Sequence, residues 1–187
     1  MPKQTLWTFH AHKSVLVCCS GHFRELLSEK SKSGTTGPWE DEKYDMTVRS
    51  FDGFQAIMRF VYTADERQLF KTVDANVDLT CREKVATLIE IMMQAHELGM
   101  GGVQRLCAKR FCTSVTLLSE DTILKIFEAS VQCEEDTLGM YCFSWALENW
   151  MPLVRGWSSE VSEKNTSILV GLVRGFVVSE IVPPVSQ

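Results

Sequence analysis

The stretch TCREKVATLIEIMMQAHELG, residues 80–99, constrains the fold of this 187-residue chain more than any other. Thr80 and, three residues on, Glu83 form a capping-box pattern, in which hydroxyl and carboxylate each satisfy an amide that helix geometry leaves open. Behind it Val85, Leu88, Ile89, Met92, Ala95 and Leu98 recur at the period of one helix face, and the helix is expected to end near Gly99. A stripe of this kind is stable only when other elements bury it.

Several further segments carry the same period. Lys13 to Cys19 reads as a short helix around Val15, Leu16 and Val17. Ser20 is placed to cap a second helix over 22–27, with Phe23, Leu26 and Leu27 on one face. Ser50 caps a third, marked by Phe51, Phe54, Ile57, Met58 and Val61, and Val103, Leu106, Cys107 and Phe111 mark another. Ser119 opens a helix bearing Ile123, Ile126, Phe127 and Ser130, and a further one is expected over 138–150, stopped by Pro152. Strand-like alternation occurs twice, in TLWTFHA at 5–11 and in YDMTV at 44–48. Residues 28–43, with two Gly and a Pro among polar residues, read as a loop. Residues 63–79 read as irregular, with room for a short strand. The order is an α+β front followed by helices only, with the change near 113–118.

Composition narrows the classes. At 45% hydrophobic and 23% charged the chain is globular in type, and a chain this long buries a core without disulfide staples. A net charge of −5 with scattered basic residues points away from nucleic acid. The polar start MPKQTLWTF does not read as a secretory signal, so the seven cysteines are expected as reduced thiols, and the location as cytoplasmic or nuclear. The apolar run at 167–182 carries Arg174 and Glu180, and a spanning helix needs about 20 apolar residues with few charges. It is expected as a buried helix, with no membrane partner.

The segment FHAHKSVLVCCSGHFRELL, residues 9–27, holds three of the four histidines and two of the cysteines. His10 and His12 would share one face of a strand. Cys18 and Cys19 would point about 100° apart on a helix, and no further ligand pair completes a tetrahedron. His12 is therefore expected to bond nearby backbone and the cysteines to act as small hydrophobes. No glycine-rich phosphate loop, nucleophile elbow or zinc-protease motif occurs, and His96 reads as a packing residue. The run Glu134-Glu135-Asp136 reads as a solvated turn ahead of a helix. The chain is not expected to be an enzyme, nor to hold a cofactor or metal.

These pieces together resemble one family. FHAHKSVL, then Ser20 and Phe23, resembles the opening signature of BTB/POZ domains; YDMTV resembles the family's third strand. FDGFQAIMRFVYTAD resembles the segment that usually ends in Tyr-Thr-Gly, with Ala64 where Gly is usual, and TLIEIMMQAHELGMGGVQRLCAKRF resembles the helices that follow. LSEDTILKIFEASVQCEEDTLGMYCFSWALEN resembles, more loosely, the first helices of the BACK region that often comes after.

The resemblance implies a BTB/POZ-like small sheet flanked by a helical cluster over 1–113, and an all-α BACK-like extension over 114–187. It implies structural roles for His12, Lys13, Leu16, Ser20 and Phe23. It also implies a protein–protein interaction module, with a substrate adaptor of a cullin-RING ubiquitin ligase as the first expectation and self-association or scaffolding as the alternative. Tyr62, Glu66, Leu69 and Phe70 are the candidate partner-binding residues, read either as apolar anchors in a polar ring or as a lid over the domain's own core. The triplet Ala64-Asp65-Glu66 has the apolar-x-acid spacing of cullin-binding members. Family members usually carry a strand before the piece that starts here at Thr5, and in many it helps to form the homodimer. That first strand is expected to be missing, which leaves self-association open and the edge at 5–11 bare.

Overall fold

The computed structural model describes residues 9–30 and 48–149, and every described element is helical. In chain order these are α1 (Lys13–Cys19), α2 (Gly21–Lys30), α3 (Phe51–Thr63), α4 (Glu66–Leu69), α5 (Lys71–Ala75), α6 (Cys81–Glu97) and α7 (Gly101–Thr113). A 3-10 turn at Val115–Leu117 leads to α8 (Glu120–Gln132) and α9 (Asp136–Glu148). The chain divides into two compact units, Met1–Arg110 and Phe111–Gln187.

In the first unit α6 is the central helix and packs against α3. Most of its expected stripe is buried: Val85, Leu88, Met92, Ala95 and Leu98 are inside, joined by Ile91, whereas Ile89 is only half-buried. From α3 come Phe54, Ala56, Ile57 and Met58, also buried. The capping box is formed in full. The Glu83 N–H donates to Thr80 Oγ at 3.3 Å, and the Thr80 N–H donates to the Glu83 carboxylate at 2.8 Å. Ser50 caps α3 by accepting from the Gly53 amide at 3.2 Å.

The carboxyl end of α6 closes in a Schellman turn: the Gly99 amide donates to the His96 carbonyl at 2.9 Å and the Met100 amide to the Ala95 carbonyl at 2.8 Å. Gly99 has φ +63°, and it is this backbone conformation that calls for glycine. A Cβ at Gly99 would lie no nearer than 3.6 Å to its closest neighbour, His22 N.

In the second unit α8 and α9 pack as a pair. Thr122, buried, bonds the Leu117 carbonyl at 2.7 Å. Glu134 takes the left-handed conformation (φ 54°) in a second Schellman turn, closed by Glu134 N–H to Val131 O at 3.2 Å and Glu135 N–H to Ser130 O at 2.8 Å. Gly139 lets the two helices approach closely, since a Cβ there would fall 3.2 Å from Ser130 Oγ.

Several expectations shift. The strand expected over 5–11 is described only at 9–11 and that over 44–48 only at Val48; these residues are irregular, so among the described residues the sheet of the α+β reading is not seen. The remainder of both segments lies outside the described residues. So do most of the 28–43 loop, Pro152 and the run at 167–182. Residues 63–79 are not simply irregular: the Asp65 carboxylate starts α4 and the Phe70 carbonyl starts α5, accepting from the Val73 and Asp74 amides, each at 2.9 Å. No described helix is long and apolar enough to cross a membrane.

Candidate functional site

Two neighbouring features collect the residues singled out in the sequence: the junction around α1, and the corner where α3 turns into α4. At the junction Ser20 stands between α1 and α2 and is buried. Its hydroxyl accepts from the Phe23 amide at 3.1 Å, capping α2, and donates to the Leu98 carbonyl at the end of α6. One side chain thus caps one helix and ties it to the last residue before the Gly99 turn. Phe23 and Leu27 follow into the core.

His12 forms the N-cap position of α1 in extended conformation (φ −79°) without using its side chain there. Its carbonyl accepts from the Val15 and Leu16 amides at 3.0 and 3.2 Å. Its amide donates to the Tyr62 hydroxyl at 2.7 Å, and the same hydroxyl lies 3.3 Å from His12 Nδ1. His12 and Lys13 are exposed and Leu16 is half-buried. Phe9 lies edge-on to Phe54 of α3, ring centroids 5.6 Å apart. Among the described residues no group of three His, Cys, Asp or Glu side chains could hold a metal ion.

The corner begins at Ala64, which closes α3 with φ +52° and donates its amide to the Phe60 carbonyl at 2.7 Å. The left-handed conformation costs an L-residue roughly 1–2 kcal/mol, which is why glycine is favoured in such a place. Asp65 follows. Its carboxylate accepts from the Arg67 amide at 3.0 Å and from Arg67 Nε at 3.2 Å. Those hydrogen bonds from Arg67, backbone first, hold its carboxyl below the ordinary carboxylate range. Neither Asp65 as a cap nor Ala64 as a left-handed turn was singled out from the sequence. The signal for both was the Thr-Ala-Asp run in place of Thr-Gly.

The four candidate partner residues separate. Tyr62, 42% exposed, and Glu66 face outward. Leu69 and Phe70 do not: they are 0% and 2% exposed. The anchor expectation for these two is corrected in favour of the lid. One turn of α4 carries Leu69 inward from Glu66, and Phe70 continues beside Val73. The Arg110 guanidinium lies over the Phe70 ring, 5.6 Å from its centroid, and forms an ion pair with Asp74. The corner is therefore a surface of Tyr62, Ala64 and Glu66 seated on a buried Leu69–Phe70 base.

The cysteines are all free thiols. Cys18 and Cys19 are exposed, while Cys107, Cys133 and Cys142 are buried. Burial, with Cys112 nearby, pushes the Cys142 thiol up to about 12, and burial with the Glu135 charge raises Cys112. Both shifts oppose thiolate formation and hence nucleophilic chemistry at these two.

Comparison with known proteins gives one family. The sequence model of the BTB/POZ domain matches residues 7–115, more than half of the chain. No solved structure matches the chain.

Proposed function

The chain belongs to the BTB/POZ family, and its matched part is a protein–protein interaction module; on that premise we propose that it acts as a substrate adaptor of a cullin-RING ubiquitin ligase. The observation that carries this reading is the α3–α4 corner. It presents Tyr62, Ala64 and Glu66 on a backbone fixed by the Asp65 cap and by the buried Leu69 and Phe70. A partner meeting such a surface finds a small apolar patch beside a carboxylate, with little ordering left to do on this side.

The rest of the reading follows the same line. The helical pair α8–α9 serves as the start of a BACK-like extension. The protein works by binding rather than by catalysis, in the cytoplasm or nucleus; the seven free thiols support a reducing compartment.

The test is light scattering of the purified chain alone and with a cullin N-terminal region. A stable rise to the mass of a complex, weakened by Glu66→Arg, supports the adaptor. A mass that ignores the cullin sinks it and leaves self-association or scaffolding as the role. Phe70→Ala is not a useful probe of contact, because truncating a buried Phe costs about 3–5 kcal/mol of folding stability.

A further inference from the structure

The Tyr62 ring is exposed at the corner, yet its hydroxyl is already engaged. It accepts the His12 amide at 2.7 Å and lies 3.3 Å from His12 Nδ1. These residues are 50 apart in sequence, at the start of α1 and in the last turn of α3. The bond therefore ties the segment Phe9–His12 to the corner that presents Ala64 and Glu66. A further link between these regions is apolar, the edge-on stack of Phe9 on Phe54. α1 has no fully buried residue; Val15, Leu16 and Val17 are half-buried.

We propose that Tyr62 is a positioning residue: its hydroxyl latches the start of α1 to the end of α3, and so couples the amino-terminal segment to the partner-binding corner. This rests on the corner being the docking surface. The His12 N–H is a directional donor, and only the hydroxyl on the Tyr62 ring reaches it. The His12 carbonyl in turn holds the first two amides of the helical ladder, Val15 and Leu16. Removing the hydroxyl frees His12 and loosens the first turn of α1. The corner then has to restore that order when a partner binds, and affinity falls.

Two substitutions remove the bond from opposite sides. Tyr62→Phe keeps the ring and deletes the acceptor. His12→Pro deletes the donor and keeps the carbonyl that starts α1; the His12 φ of −79° is within proline's range. The first readout needs no partner: amide hydrogen exchange of Val15 and Leu16 in the free chain. Tyr62→Phe is expected to speed both about fivefold, the worth of one ordinary hydrogen bond. Unchanged exchange overturns the latch.

The second readout is titration with the cullin N-terminal region. Each single substitution is expected to weaken binding about fivefold, and the double variant no more than either alone, since both break the same link between His12 and the Tyr62 hydroxyl. Full affinity in His12→Pro with loss in Tyr62→Phe would show the hydroxyl to be a direct partner contact and overturn the positioning role. Failure of the unsubstituted chain to bind rejects the adaptor reading, and the latch then stands or falls on the exchange measurement.

Discussion

Replacing Ser20 by Ala removes two interactions made by one oxygen. The first is the cap of α2, the 3.1 Å bond from the Phe23 amide, and loss of a Ser cap costs about 1 kcal/mol. The second is the bond to the Leu98 carbonyl, which couples α2 to the end of α6; a net hydrogen bond of this kind contributes about 1 kcal/mol. Ser20 is only 2% exposed, so water cannot readily replace either partner. The sum is about 2 kcal/mol. With a urea slope of roughly 1–3 kcal/mol per molar, the midpoint should fall by about 1 M with the slope unchanged. The assay is urea unfolding followed by far-ultraviolet circular dichroism, because every described element is helical. Ser20→Gly separates the two parts: glycine is a tolerable cap, within a few tenths of a kcal/mol, but cannot reach Leu98. It should recover about half of the loss. An Ala variant within about 0.5 kcal/mol of the parent would refute the reasoning and show that the Leu98 tie adds nothing to an ordinary surface position.

Ala64→Gly should stabilise the chain by about 1 kcal/mol, read as a raised urea midpoint, because it relieves a left-handed alanine at φ +52°. Glu83 is held below the ordinary carboxylate range by hydrogen bonds from the Thr80 hydroxyl and amide. A depressed carboxylate contributes stability that is present above the unfolded-state value, about 4, and is lost as pH falls through the folded-state value. Glu83→Gln should therefore be less stable than the parent near neutrality, and the gap should close on acidification below about pH 4 in parallel denaturation curves. Alkylation of the native chain at neutral pH should label the exposed Cys18 and Cys19 first, with Cys142 protected by burial and a thiol value near 12; mass spectrometry of digests gives the order.

What the residues by themselves determined is local. Thr80 with Glu83, Ser50, Ser20 and Ser119 mark where helices begin, because the free amides of a first turn can be satisfied only by a few side chains at fixed offsets. The spacing of Val85, Leu88, Met92, Ala95 and Leu98 marks a buried face, because periodicity is a property of one element at a time. The family was legible for the same reason: its motifs are short, ordered runs, and they are the ones the BTB/POZ match covers. Tertiary structure alone decided the rest. That Ser20 reaches Leu98 and His12 reaches Tyr62 depends on residues 78 and 50 positions away, and no local pattern encodes the partner of a side chain that far along the chain. The fate of the four residues at the corner turned on the same physics. A Tyr, a Leu and a Phe look equally apolar in sequence, but a single turn of α4 sends Leu69 and Phe70 inward and leaves Tyr62 and Glu66 in solvent, since burial is set by which way the backbone turns and by what stands behind it.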